Sequence, residues 1–352
     1  MAHNSDAIRR WFSTAESLGE CIGIRFGRLA PGASEPEWFL LPHSEVDGIG
    51  GLADLLRRRG AALGRLPRIH HFSRPAYTAL LRTTPRYLAP RRPTRWGALP
   101  GDRRPSTKDE PPSSVAWHVF DEDLTAMIRR VCRKAGYTVN SFLLKHLARA
   151  IRPSLHDQTA PMPWMVPVNL RGAVSRSRDT DNHSSYVSVR VRSWETVYDV
   201  HRSIYAALAS GEHWAHWWTY KTGNFLPRGV RAMLVRRGRA VAQLNIGSFS
   251  NLGLWDSDRQ INQPECLGGW LFAPPVLRCQ MVGAGAVTFQ HRLGLVIQVH
   301  PELTTDPAVP EAWMRDWIRE MEIDMDAVTG APMVFHASPL WSSTVAGRGV
   351  RT

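Results

Sequence analysis

His43, Asp47 and Gly48 stand together in Pro42-His43-Ser44-Glu45-Val46-Asp47-Gly48, an H-x-x-x-D-G spacing. A histidine can act as a general base near neutral pH because its unperturbed pKa lies there. An acid four residues on, followed by glycine, suits a carboxylate that fixes a turn instead of touching substrate, with the glycine supplying backbone freedom. Other groups carry less. The pair His70-His71 has no Asp-Gly at the required spacing and reads as loop histidines. The run from His213 to Trp218, placed between helices, offers either an aromatic pocket wall or core packing, since indole combines area with one polar handle. Cys21, Cys132, Cys266 and Cys279 lie far apart with no C-x-x-C, so neither a zinc site nor a disulfide framework is expected.

The motif needs a strand before it and a helix after it. Cys21 to Leu29 and Glu37 to Leu41 read as two strands around a Pro31-Gly32 turn, which places His43 just past the second. Leu52 to Leu63 follows as a helix with Leu52, Leu55 and Leu56 on its apolar face. Thr83 to Ser114 holds seven prolines and six arginines, among them Arg91, Arg92, Arg103 and Arg104, and cannot be helix or central strand. It reads as a crossover dividing a lobe at 1–112 from one at 113–352, its arginines serving either as a phosphate clamp or as a solvated linker. Beyond it, Val115 to Phe120 is a strand, Asp121 or Asp123 caps a helix to Lys134, and Thr138 to Ile151 is the next helix. Strands at Trp164 to Leu170, Ser184 to Val191, Leu244 to Asn251, Ala284 to Gln290 and Leu293 to His300 alternate irregularly with helices. With no repeated βαβ unit and no Gly-rich nucleotide loop, Rossmann and P-loop classes are excluded.

Lys plus Arg exceed Asp plus Glu by 44 − 31 = 13, a surface that favours anionic partners such as coenzyme A phosphates or an acidic carrier protein, unless the excess merely reflects an arginine-rich composition. No nucleic-acid motif accompanies the charge. Met1 to Ser13 is polar and no apolar run approaches membrane-spanning length, so the expected setting is soluble, reducing and cytoplasmic.

Four stretches resemble, in order, the chloramphenicol acetyltransferase-like superfamily, which includes condensation domains and wax ester synthase-type acyltransferases. They are Pro42 to Gly48; the segments from Ala116 to Leu124 and Gly136 to Leu144; Val166-Pro167-Val168-Asn169-Leu170-Arg171 with Asp181-Asn182; and Ser248-Phe249-Ser250-Asn251-Leu252-Gly253. The resemblance implies an α+β fold of two lobes, with mixed sheets and flanking helices. The motif begins at residue 43, earlier than is usual in the family, so a truncated first lobe is expected, which a second chain could complete as an oligomer. It implies acyl transfer from a coenzyme A or phosphopantetheinyl carrier-protein thioester to a hydroxyl or amine, with no bound cofactor or metal. His43 would be the base, and the Gly48 amide would face the thioester carbonyl. Asp47 would pair with Arg171 through a directional fork that latches the lobes. Ser250 and Asn251 would either bind the oxyanion or perform ordinary turn chemistry. Two alternatives stay open: a non-catalytic, condensation-like protein that binds a carrier domain or partner subunit, and the same scaffold running cyclisation or dehydration.

Overall fold

A computed structural model describes residues 6–68, 78, 95–104, 114–223, 225–241, 245–255, 266, 268–329 and 341–342. Most of the crossover, with Arg91 and Arg92, and the His70-His71 pair lie outside the described residues.

The first lobe holds helix α1 (Asp6–Glu16), strands β1 (Gly23–Leu29) and β2 (Glu37–Pro42), and helix α2 (Gly48–Arg58). Helix α2 starts four residues earlier than its apolar periodicity suggests. Asp47 is its N-cap, its carboxylate accepting the Gly50 amide at 2.8 Å. Gly48, Gly50 and Gly51 are poor helix formers, which hides that first turn in the sequence.

The second lobe runs β3 (Ser114–Val119), α3 (Glu122–Lys134), α4 (Val139–Ile151), β4 (Met162–Asn169) and β5 (Ser184–Val191), then α5 (Val197–Ala209), α6 (Glu212–Gly223) and α7 (Arg228–Val241). It closes with β6 (Gly247–Trp255), β7 (Gly269–Ala273), β8 (Val282–Phe289), β9 (Arg292–Val299), α8 (Ala308–Thr329) and β10 (Trp341–Ser342). Asp121 caps α3 and Thr138 caps α4 through their side-chain oxygens, satisfying amides that have no acceptor within the helix. The aromatic run expected between helices is itself helix α6. Trp214, Trp217 and Trp218 are buried in the main core, so packing won at that run.

Two sheets result. The large one has strand order β10-β3-β9-β8-β6-β4-β5 and is mixed: β4 to β6 and β6 to β8 run parallel, the other pairs antiparallel. The small one has order β2-β1-β7. Its third strand therefore comes from residues 269–273, and the boundary expected at 112/113 does not separate the two sheets. Strand β8 shows how they join. Val282, Ala284 and Ala286 pack toward the helices, whereas Val287 and Phe289 on the other face enter the first-lobe core with Phe26, Leu52, Trp270 and Phe272. On that same face Gly285 lies under β7, and a Cβ there would strike the Phe272 carbonyl. The close crossing of β7 over β8 depends on that missing side chain.

Candidate functional site

His43 follows the last residue of β2, and its amide donates to the Ile22 carbonyl at 3.0 Å. Its ring Nδ1 lies 2.9 Å from the Val46 carbonyl oxygen. A carbonyl can only accept, so Nδ1 carries the proton and Nε2 is the ring's lone-pair nitrogen. The Asn182 amide donates to the His43 carbonyl at 2.7 Å, and Phe12 of α1 stacks on the imidazole with ring centres 5.0 Å apart. Burial holds the His43 pKa below the ordinary histidine value, with the Val46 bond and the Asp47 charge opposing the shift in part. The ring is therefore neutral, and basic at Nε2, at neutral pH.

Asp47 cannot share that work. Its Oδ1 accepts from Gly50 N at 2.8 Å and Arg171 Nη2 at 2.7 Å, and Oδ2 accepts from His183 N at 2.8 Å. Arg171 makes a single-pronged contact with Asp47 instead of the expected fork. Its remaining donors go to the Asp179 and Asp181 carbonyls and to Asn169 Oδ1. Both side chains are buried, and the pair joins the His43 turn to the loop that links β4 to β5. A Val46–Asp181 bridge and an Asn182 N to Glu45 O bond of 3.0 Å tie down the same turn.

Glycine sits tightly at two positions of this junction, and at Gly50 the neighbouring backbone requires it. A Cβ on Gly48 would come within 2.5 Å of Leu252 and 2.9 Å of Phe272. A Cβ on Gly50 would strike the Thr180 carbonyl and lie 2.8 Å from Arg171 Nη2. Sequence reasoning passed over Gly50, although the second glycine at two-residue spacing was visible.

His43, Asp47 and Gly48 line a cavity of about 110 Å³ whose far wall is β6. Ser250 belongs to that wall; Asn251 does not, and its Oδ1 instead accepts Gly253 N at 2.9 Å to close a turn. Ser248, two residues before Ser250 and on the same strand face, also lines the cavity, as do Asn182 and Gln280. The period of two along β6 could have pointed to Ser248; nothing local marks Gln280. Of the aromatic helix α6, Tyr220 reaches the cavity, while His216 stacks on Tyr186. An outer groove lined by Arg9, Ser44, Arg176 and Arg178 shares Ile8 and Asn182 with the inner cavity. Arg103 and Arg104 of the crossover line neither space. Among the described residues no helix is long and apolar enough to cross a membrane.

No protein-family model matches the chain, and no curated protein matches it. Among solved structures it is similar to the trichothecene 15-O-acetyltransferase from Fusarium sporotrichioides, at 12% identity over 85% of this chain and 70% of that one, with a TM-score of 0.53. It is similar to the epimerization domain from the third module of tyrocidine synthetase B, at 14% identity over 83% and 69%, with a TM-score of 0.50. It is also similar to the cyclization-docking bidomain of a nonribosomal peptide synthetase from Sorangium cellulosum, at 11% identity over 83% and 60%, with a TM-score of 0.50. The chain thus spans 60% to 70% of the length of these proteins. The likeness is one of fold: this is the chloramphenicol acetyltransferase-like fold of condensation domains and acyltransferases.

Proposed function

We propose that this chain transfers an acyl group from a coenzyme A or carrier-protein thioester to a hydroxyl or amine, with His43 as general base. The observation that carries the reading is the fixed tautomer of His43. Its Nδ1 proton is committed to Val46, its Nε2 is left basic, and the residue lines a partly open cavity. Nε2 would take the acceptor's proton as the acceptor attacks the thioester carbonyl. Collapse of the tetrahedral intermediate would break the C–S bond and return that proton to the departing thiolate. The Ser250 hydroxyl and the Gly48 amide, at the start of a helix where N–H groups have no intrahelical acceptor, line the same space as candidate oxyanion donors. Asp47 and Arg171 would hold the turn without touching substrate. The net charge of +13 supports a phosphate-bearing donor. In the outer groove Arg9 and Arg178 are paired with Glu45 and Asp181, so its lining, with Arg176, carries only a small positive excess.

The test is thiol release from acetyl-, longer-chain acyl-coenzyme A and acyl-carrier thioesters, with panels of amines and alcohols as acceptors. Acceptor-dependent release should fall by about 10² to 10⁴-fold in folded His43→Ala. Unchanged turnover in that variant would remove His43 as the base.

A further inference from the structure

We propose that Ser248 and Gln280 form a polar subsite in the His43 cavity, and that Gln280 makes a hydrogen-bond donor on the bound group a requirement. The ligand class is a small hydroxyl- or amine-bearing group; naming that group the acyl acceptor rests on the function proposed above.

The geometry begins in β6. Phe249 packs into the helix-side core, so Ser248 and Ser250 face the other way, toward the first lobe. On the neighbouring strand β8 their partners are Gly283 and Gly285, which carry no side chains. Those glycines let the Phe272 and Pro274 backbone pack directly on β8, and Phe272 with the Pro274-Pro275 segment that follows β7 then borders the cavity beside Ser248 and Ser250. Gln280 enters from a tight turn closed by paired bonds between Leu277 and Gln280.

Two polar atoms of this wall lack protein partners. Ser248 is 2% exposed and its Oγ has none; Gln280 is 4% exposed and its Oε1 has none. The Gln280 amide cannot be turned to suit either kind of ligand. Its Nε2 donates to the Pro275 carbonyl at 3.2 Å, and a carbonyl accepts only, so the atom left over is an acceptor. A buried acceptor in that state favours an N–H or O–H and disfavours an ether, a fluorine or a methyl. Ser248 Oγ can donate or accept, and so complements a hydroxyl or amine that both gives and receives. At about 110 Å³ the cavity is smaller than the ~150 Å³ void that binds one benzene ring, so it holds a small polar end of a ligand whose remainder extends toward the cavity's open side.

Phenol and fluorobenzene, equal in heavy-atom count and differing in the donor, serve as probes, with affinities read by ligand-observed NMR titration. The wild-type protein should bind phenol about tenfold tighter or more, the worth of one well-made buried hydrogen bond. Gln280→Leu should reduce that preference to about twofold while retaining fluorobenzene, and Ser248→Ala should reduce it in part. Gln280→Met replaces Gln280→Leu if the latter does not fold. Folded His43→Ala should keep the preference, which separates the subsite from the catalytic reading. Retention in His43→Ala together with loss of acyl transfer would support both proposals. A preference that vanishes in His43→Ala but persists in Gln280→Leu would assign the donor to His43 and overturn the subsite. Failure of both probes to bind, or equal binding of the two by wild type, would overturn it as well.

Discussion

Replacing Arg171 with methionine should destabilise the protein by about 3 to 5 kcal/mol, the usual cost of stripping one partner from a buried ion pair. The two side chains are only 4% and 5% exposed, so solvent cannot replace the lost charge. Asp47 would keep its bonds from Gly50 N and His183 N, leaving a buried carboxylate with two neutral donors and no counter-charge. The carbonyls of Asp179 and Asp181 would lose the donor that Arg171 gives each of them. Asp47→Asn is milder in packing but wrong in hydrogen bonding. An asparagine oxygen in the Oδ1 position can still accept from Gly50 and Arg171, yet its NH₂ then faces the His183 amide. That is one lost bond and two opposed donors, about 1 to 3 kcal/mol, with Arg171 now facing a neutral partner. In the double variant neither charge remains, so its cost should fall short of the sum by about 0.5 to 3 kcal/mol. Urea unfolding followed by tryptophan fluorescence would give all four corners of the cycle, with the m-value checked for constancy. Acyl transfer should drop in each single variant, because the same loop carries Asn182, which holds the His43 carbonyl. Additivity within about 0.5 kcal/mol would refute the latch.

The acid limb of kcat/KM should have its midpoint below the ordinary histidine pKa of about 6.5, since burial lowers that of His43; a limb centred above that value would contradict a buried neutral base. His118 is buried and pushed down to about 4, so its neutral form is favoured by folding. The stability it contributes is present above pH ~6.5, the unfolded value, and is lost as pH falls toward 4, at up to about 1.4 kcal/mol per pH unit. Chemical denaturation between pH 7 and 5 should show this slope, and His118→Phe should reduce it by at most one proton's worth. The buried His146, His183 and His213, also held down by desolvation, contribute in the same direction. Gly50→Ala should cost about 1 to 3 kcal/mol through overpacking against Thr180 and Arg171, and should lower kcat with it. A variant that melts and turns over like wild type would show that the loops separate freely.

What the chain determines by itself is what depends on neighbours in sequence. Strand β5 and helix α4 follow from composition and period. Asp121 and Thr138 cap helices three residues ahead of the amides they bind, and Pro42-His43 marks the end of β2. The H-x-x-x-D-G spacing was legible for the same reason: His43 bonds Val46 and Asp47 bonds Gly50, each three residues on. Tertiary structure decided the rest. Helix α2 begins among glycines because the Thr180 carbonyl and Arg171, more than 120 residues away, occupy the space a side chain would need. Strand β7 is short, and its place beside β1 is fixed by pairing across some 240 residues. Ser250 and Asn251 look equivalent in sequence, yet one lines the cavity and the other closes a turn, because sheet pairing sets which face of β6 meets the first lobe. Gln280 carries no local signal. Its significance lies in an amide whose donor is consumed by Pro275 and whose acceptor is not, a state that exists only once the backbone has brought them within hydrogen-bonding distance.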